Sequence, residues 1–194
     1  MTTPAAADLV SALAVSVLSS ETAKLGDLAD FYARVSALMA YIPYTTLQLA
    51  FADFKSNVAK LRKLGPEKLA SEVLLAEWSS TGDTKALCAT DGNAHTTLLW
   101  LNRGLELVAV LLAKLEAAPN RDVSIREVYE ASLSKHHGFV QRALVSAAAG
   151  STISASQLSA YLGSPKHLPA CKDRFTDLIL QYSMLERRAR GELA

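Results

Sequence analysis

Apolar side chains recur at spacings of three and four residues along almost the whole chain, the pattern of helices that each bury one face. Leu9, Val10, Leu13, Val17 and Leu18 form one such series, with serines between them. Phe31, Val35, Leu38 and Ile42 form a second after the Gly26-Asp27 break, and Pro43, which has no amide proton, interrupts it. A third helix is predicted from about Thr46 to Leu64, stopped by Gly65-Pro66. A fourth runs from Pro66, whose fixed φ suits a first turn, to about Ser79. The stretch SSTGDTKALCATDGN is rich in breakers and reads as a connection. It leads into a long apolar helix from about Ala94 to Ala117, closed by Pro119-Asn120. Another helix starts at Asp122 or Ser124 and passes through His137 to about Ala149. Gly150 through Ser154 is a loop, followed by a short helix to Leu162, the turn Gly163-Ser164-Pro165 and a last helix from about Pro169 to Arg190. No period-2 run of useful length predicts a strand. The pattern therefore predicts an all-α chain, with residues 1–194 forming a single domain.

The third helix carries the most informative chemistry. In FADFKSNVAKLRKL, Asp53, Asn57 and Lys60 stand at i, i+4 and i+7 and point the same way, while Phe54, Val58 and Leu61 repeat beside them on a neighbouring face. A carboxylate that accepts, an ammonium that donates and an amide that does both can satisfy a polyhydroxylated group in several directions. A ligand with a polar head and an apolar tail suits such a helix, and a sugar is the obvious head. The bland alternative is a solvated face, since these spacings are common on helix surfaces.

Composition narrows the classes. The 194 residues are enough for one substantial core, and 50% are apolar, which fits either a tightly packed bundle or a protein lining an internal cavity. Twenty basic against 19 acidic side chains leave a net charge of +1, so nothing calls for nucleic acid. Cys88 and Cys171 form no C-x-x-C pair and have no metal-ligand spacing to His95, His136, His137 or His167, which suggests a reducing compartment and no metal. The first residues, MTTPAAADLVSALAVSVLSS, lack a basic start and carry Asp8, a poor secretory signal. No uncharged apolar stretch of about 18 residues suggests a membrane span. The expectation is a cytoplasmic protein whose contact with membranes is peripheral.

Two further segments bear on the site. LLWLNRGLELVAVLL sets Trp100 and Arg103 one turn apart, and SKHHGFVQRAL carries His136, His137 and Gly138. Trp100 among leucines can be core filling or a flat platform for the C–H face of a sugar. Arg103 can be an exposed helix arginine or a partner that holds Asp53 ionised. His137 can be a metal ligand, a general base or a neutral hydrogen-bonding group. No further ligands are spaced for a metal, and no G-x-S-x-G motif supports hydrolysis, so the chain reads as no enzyme and no cofactor is called for.

Taken in order, D-x-x-x-N-x-x-K, W-L-x-R-G-L and K-x-H-G-F resemble the motifs of the glycolipid transfer protein family, over about residues 30 to 185. The resemblance implies a two-layer sandwich of about eight helices enclosing an apolar lipid tunnel. It implies carriage of sphingolipids with a sugar headgroup, monoglycosylceramides such as glucosyl- or galactosylceramide, by a monomer in transient contact with membranes. By the same resemblance Asp53 would bind a sugar hydroxyl and the ceramide amide nitrogen, and Asn57 and Lys60 the hydroxyls of the first sugar. Trp100 would lie beneath that sugar and His137 would donate to the ceramide carbonyl, with Arg103 in support. Candidate tunnel or membrane-contact residues are Phe31, Val35, Leu38, Phe54, Val58, Leu107, Leu111, Phe139 and Leu144. Two places depart from animal members of the family: Phe139 stands where they have tryptophan, and no aromatic follows Tyr182. A branch of the family carries ceramide-1-phosphate with basic residues where Asn57 and Trp100 stand here, which makes that lipid the alternative cargo. A sphingolipid sensor or scaffold that transfers nothing is the alternative from another class.

Overall fold

The computed structural model describes residues 22–39, 45–139, 142–143, 145, 150–162, 173, 176–177, 180 and 183–192. The expected first helix at Leu9 to Leu18, the interruption at Pro43, the turn at 163–165 and Leu144 lie outside these residues, as does the side chain of Leu38.

Helix α1 spans Leu25–Met39, α2 Thr45–Lys63, α3 Ala70–Thr81, α4 Thr84–Ala89 and α5 Ala94–Ala117. A two-residue strand β1, Val123–Ser124, precedes α6, Ile125–Ala131, and a single 3-10 turn, Leu133–His136. Strand β2, Thr152–Ile153, precedes α7, Ala155–Leu162. Residues 183–189 are helical as well. Among the described residues the architecture is all-α apart from this small antiparallel ladder, in which Val123 faces Ile153 and Ser124 faces Thr152.

Amphipathic periodicity explains the long helices. On α1, Leu25, Leu28, Tyr32, Val35 and Met39 are buried, a run at three- and four-residue steps. Helix α1 packs on α2, and α2 packs on α5. Helix α5 also contacts α3, α4, α6 and the 3-10 turn, so it is the element shared by most of the others. Its central position matches its composition, for Leu98, Leu101, Leu105, Leu111, Leu112 and Leu115 are all buried. The buried apolar residues form one continuous cluster reaching from Ala23 on the α1 side to Leu185.

Local chemistry sets the helix ends. Helix α2 stops before Gly65, whose φ of 104° an L side chain rarely adopts. Asn93 accepts a hydrogen bond from the Thr96 amide at 2.7 Å, and the two carboxylate oxygens of Glu77 accept from the Ala94 and His95 amides at 2.7 and 2.9 Å. Three of the orphan donors at the start of α5 are thereby satisfied, and a negative charge faces the positive end of the helix.

Four sequence expectations change. Pro66 does not open α3, which begins at Ala70. The intervening residues run alongside the start of α1 instead, with Gly26 N–H donating to the Pro66 carbonyl at 2.9 Å and Leu25 N–H to that of Lys68 at 2.9 Å. The breaker-rich connection holds the short helix α4, capped by the Asp83 carboxylate accepting from the Lys85 amide at 2.8 Å. The helix predicted from 122 or 124 through His137 to 149 is broken. It leaves helical geometry at Ser132 (φ −125°, ψ −82°), turns once as a 3-10 segment, and reaches His137 in an extended conformation. The 150–154 loop supplies β2. Its Ile153 and the facing Val123 are fully buried, so tertiary burial organises a pair too short to leave a period-2 signal.

Candidate functional site

The site is built where α2 and α5 cross. Phe54 and Gly104 are the contact: a Cβ added at Gly104 would stand 2.5 Å from Cδ2 and 2.8 Å from Cε2 of the Phe54 ring. Only a residue without a side chain allows that approach. The sequence neighbours of this pair, Asp53 and Arg103, are therefore carried to the same edge of the crossing.

The polar stripe on α2 is not uniform. Asp53 is exposed, whereas Asn57 is 5% exposed and sits beside buried Phe54, Val58 and Leu61. The Asn57 amide donates to the Asp53 carboxylate through Nδ2 to Oδ2 at 3.2 Å. This bond uses one amide proton and leaves the Asn57 carbonyl oxygen and the second carboxylate oxygen for other donors. Lys60, the third member, turns to the loop before α5 and pairs with Asp91, Nζ to Oδ1 at 2.6 Å. That pairing holds the Asp91 carboxyl below its ordinary value, chiefly through the hydrogen bond and charge of Lys60.

On α5, Trp100 is half-buried rather than sealed in the core, and the Arg103 guanidinium lies over it with Cζ 4.6 Å from the ring centroid. Among the described residues Arg103 makes no ion pair with Asp53. Its Nε is buried without a hydrogen-bond partner. A buried guanidinium N–H in this state has its hydrogen-bonding capacity unmet.

His137 arrives from the far side. Its ring stands 5.8 Å from that of Trp100, centroid to centroid, and its Nδ1 is 3.0 Å from the hydroxyl of Tyr129. Burial pushes the His137 pKa down, Arg103 pushes it further, and the Asp53 carboxylate partly opposes both. The imidazole is therefore neutral at neutral pH. The turn that carries it is tied to α5 by Lys135, which pairs with Glu106 at 2.7 Å, while His136 lies 3.9 Å from the same carboxylate.

The fold thus gathers Asp53, Asn57, Trp100, Arg103 and His137 around one point, with Lys60 bound to Asp91 at its margin. Phe31, Val35, Phe54, Val58, Leu107 and Leu111 are buried in the core behind it. Phe139 is not with them; it is 79% exposed at the surface next to the His137 turn. Sequence reasoning missed Tyr129, Glu106, Asp91 and the reason for Gly104. Only Gly104 left a signal, as a glycine inside a long apolar helix. Among the described residues there is no cluster of three potential metal ligands, and no helix is long and apolar enough to cross a membrane.

The profile of the family described as glycolipid transfer protein matches residues 24–164. A glycolipid transfer protein of Aureobasidium melanogenum is 33% identical over 121 residues, 59% of this chain and 58% of that protein. One of Danio rerio is 34% identical over 116 residues, 50% of each. The chain thus aligns with little more than half the length of these relatives. Among solved structures, a variant of Arabidopsis ACD11 complexed with ceramide-1-phosphate superposes with a TM-score of 0.69 at 20% identity, covering 94% of this chain and 91% of that one. The fungal glycolipid transfer protein HET-C2 gives 0.66 at 18% identity, covering 83% and 84%. The fold is the all-α fold of these solved structures. The chain belongs to the glycolipid transfer protein family.

Proposed function

We propose that the protein carries sphingolipids with a sugar headgroup, glucosyl- or galactosylceramide, between membranes. The observation that carries the reading is the hydrogen-bonded Asp53–Asn57 pair standing beside Trp100 and His137 at one edge of the apolar core. A carboxylate and an amide offer two-way hydrogen bonding to sugar hydroxyls, and a half-buried indole offers an apolar plate to a pyranose. A neutral imidazole N–H can donate to the ceramide carbonyl. The lipid chains would enter among Phe31, Val35, Phe54, Val58, Leu107 and Leu111. Each methylene then leaves one apolar medium for another, so exchange stays near balance and the headgroup decides selection. Exposed Phe139 would meet the bilayer during a transient, peripheral contact by a cytoplasmic monomer.

Transfer between vesicles tests this. Trp100→Ala and Asp53→Val should each cut galactosylceramide transfer about ten- to a hundredfold, with helical circular dichroism and cooperative melting retained. Near-normal transfer by both variants would overturn the headgroup assignment.

One observation favours a phosphate headgroup instead: the Arg103 guanidinium lies at the site with its Nε unpartnered, and charged donors suit ceramide-1-phosphate. The two readings separate on rate. At equal vesicle concentrations galactosylceramide should move faster than ceramide-1-phosphate, and Asn57→Lys or Trp100→Arg should shift the preference toward phosphate. Faster movement of ceramide-1-phosphate by the unaltered protein would reverse the assignment.

A further inference from the structure

We infer that Tyr129 is a positioning residue for this site: its hydroxyl donates to Nδ1 of His137 and fixes the imidazole as the tautomer with its proton on Nε2. The geometry begins with α6, which buries Tyr129 two residues before its end. At Ser132 the chain leaves the helix, and the Ser132 hydroxyl donates to the Val128 carbonyl at 2.7 Å. The 3-10 turn then folds the chain back, so that the residue eight positions later meets the phenol at 3.0 Å with ring centroids 5.6 Å apart.

Two arrangements of that bond are possible in principle. In one, His137 donates from Nδ1 and the phenol proton must find another acceptor. Among the described residues the hydroxyl meets His137, and the Tyr129 side chain is 4% exposed, so this arrangement leaves a largely buried donor without a second side-chain acceptor among them. In the other, the phenol donates to Nδ1, both groups are satisfied, and the remaining ring proton is on Nε2. The second arrangement wins because an unmet buried donor costs more than a spare phenol lone pair. Burial of the phenol raises its pKa, so it keeps the proton it donates. A neutral imidazole locked in this way always presents an N–H, never a bare nitrogen, at its free edge. The use of that N–H to hold the carbonyl of a ceramide rests on the sphingolipid reading above.

The test does not need a ligand. In the full chain labelled with ¹⁵N-histidine, long-range ¹H–¹⁵N spectra at a pH above the ordinary histidine range report which ring nitrogen is protonated. His137→Asn, by removing one set of signals, identifies the residue. The expected spectrum has a pyridine-type Nδ1 and a pyrrole-type Nε2, and Tyr129→Phe should give averaged signals from both tautomers. A pyrrole-type Nδ1 in the unaltered protein, or an unchanged spectrum in Tyr129→Phe, would overturn the assignment. Galactosylceramide transfer by Tyr129→Phe should fall about three- to tenfold. In a His137→Asn background, where no tautomer exists to be set, the same substitution should change transfer no further. An equal loss in both backgrounds would mean that Tyr129 acts through packing and not through His137. If the spectra are as expected but galactosylceramide is not transferred, the positioning role stands and the sugar reading fails.

Discussion

Asp53, Asn57, Trp100 and Arg103 stand on two long helices that lock together at Phe54 and Gly104, whereas His137 stands on a turn held by the side chains of Tyr129, Lys135 and Glu106. The helix-borne half derives its precision from backbone approach and continuous core packing, which tolerate little change. The turn-borne half derives its precision from a few polar contacts, one of them an ion pair whose lysine is more than half exposed. Such contacts are individually weak. Perturbing the packing and capping that set the first half should therefore act mainly on stability, and perturbing the contacts that set the second mainly on ligand handling.

The strongest way to break this comparison is Gly104→Val. The added branches meet the buried Phe54 ring, and the expected net loss is about 1–3 kcal/mol in urea denaturation. Shrinking the ring in the same background with Phe54→Leu should recover part of it. A Gly104→Val protein as stable as the parent would mean that the crossing is loose.

Glu77→Ala comes next. It removes both carboxylate acceptors from the first amides of α5 and should cost about 0.5–2 kcal/mol, read as a lowered melting temperature. Glu77→Gln should lose less, since its amide oxygen still accepts. Equal losses would show that the carboxylate charge, not the hydrogen bonding, carries the effect.

Acid acts on the other half. Burial depresses both His136 and His137, with Arg103 adding to each, so the folded chain takes up these protons at lower pH than the unfolded chain does. Below the ordinary value of about 6.5 the unfolded chain binds more protons. The stabilising contribution is thus complete above that value and is lost as pH falls through the depressed folded values. Protonated His137 also loses the lone pair that accepts from Tyr129, so transfer should decline in the same window. His137→Asn should flatten that part of the transfer profile; an unchanged acid limb would place its cause elsewhere.

Glu106→Gln should have the smallest effect on stability, about 0.2–1 kcal/mol, because its lysine partner is exposed. Its larger effect should be on transfer rate, through a less constrained His137 turn. A variant that lost stability without slowing transfer would contradict the division between the halves.

Much of this was legible without coordinates. The limits of α5 at Ala94 and Ala117 follow from its apolar periodicity and flanking breakers, and the stop of α2 before Gly65 follows from turn chemistry. Helical spacing alone singles out Asp53, Asn57 and Lys60, because it places residues of one element on one face whatever surrounds it, whereas Trp100 and His137 gain their roles from the resemblance to the family motifs. The pairing of Lys60 with Asp91 was not legible, since these residues are 31 positions apart and no local pattern links them. Nor was the break at Ser132, where the apolar series runs on through a segment whose backbone does not.

What the sequence by itself determined was the set of amphipathic helices and the stripes they carry, since periodicity and caps depend on interactions between near neighbours in the chain. What only the tertiary structure decided was which stripes meet. The close approach at Gly104, the 3-10 turn that brings His137 to Tyr129, and the ladder between 123–124 and 152–153 all depend on burial shared by distant segments. Those energies appear only once the chain has packed.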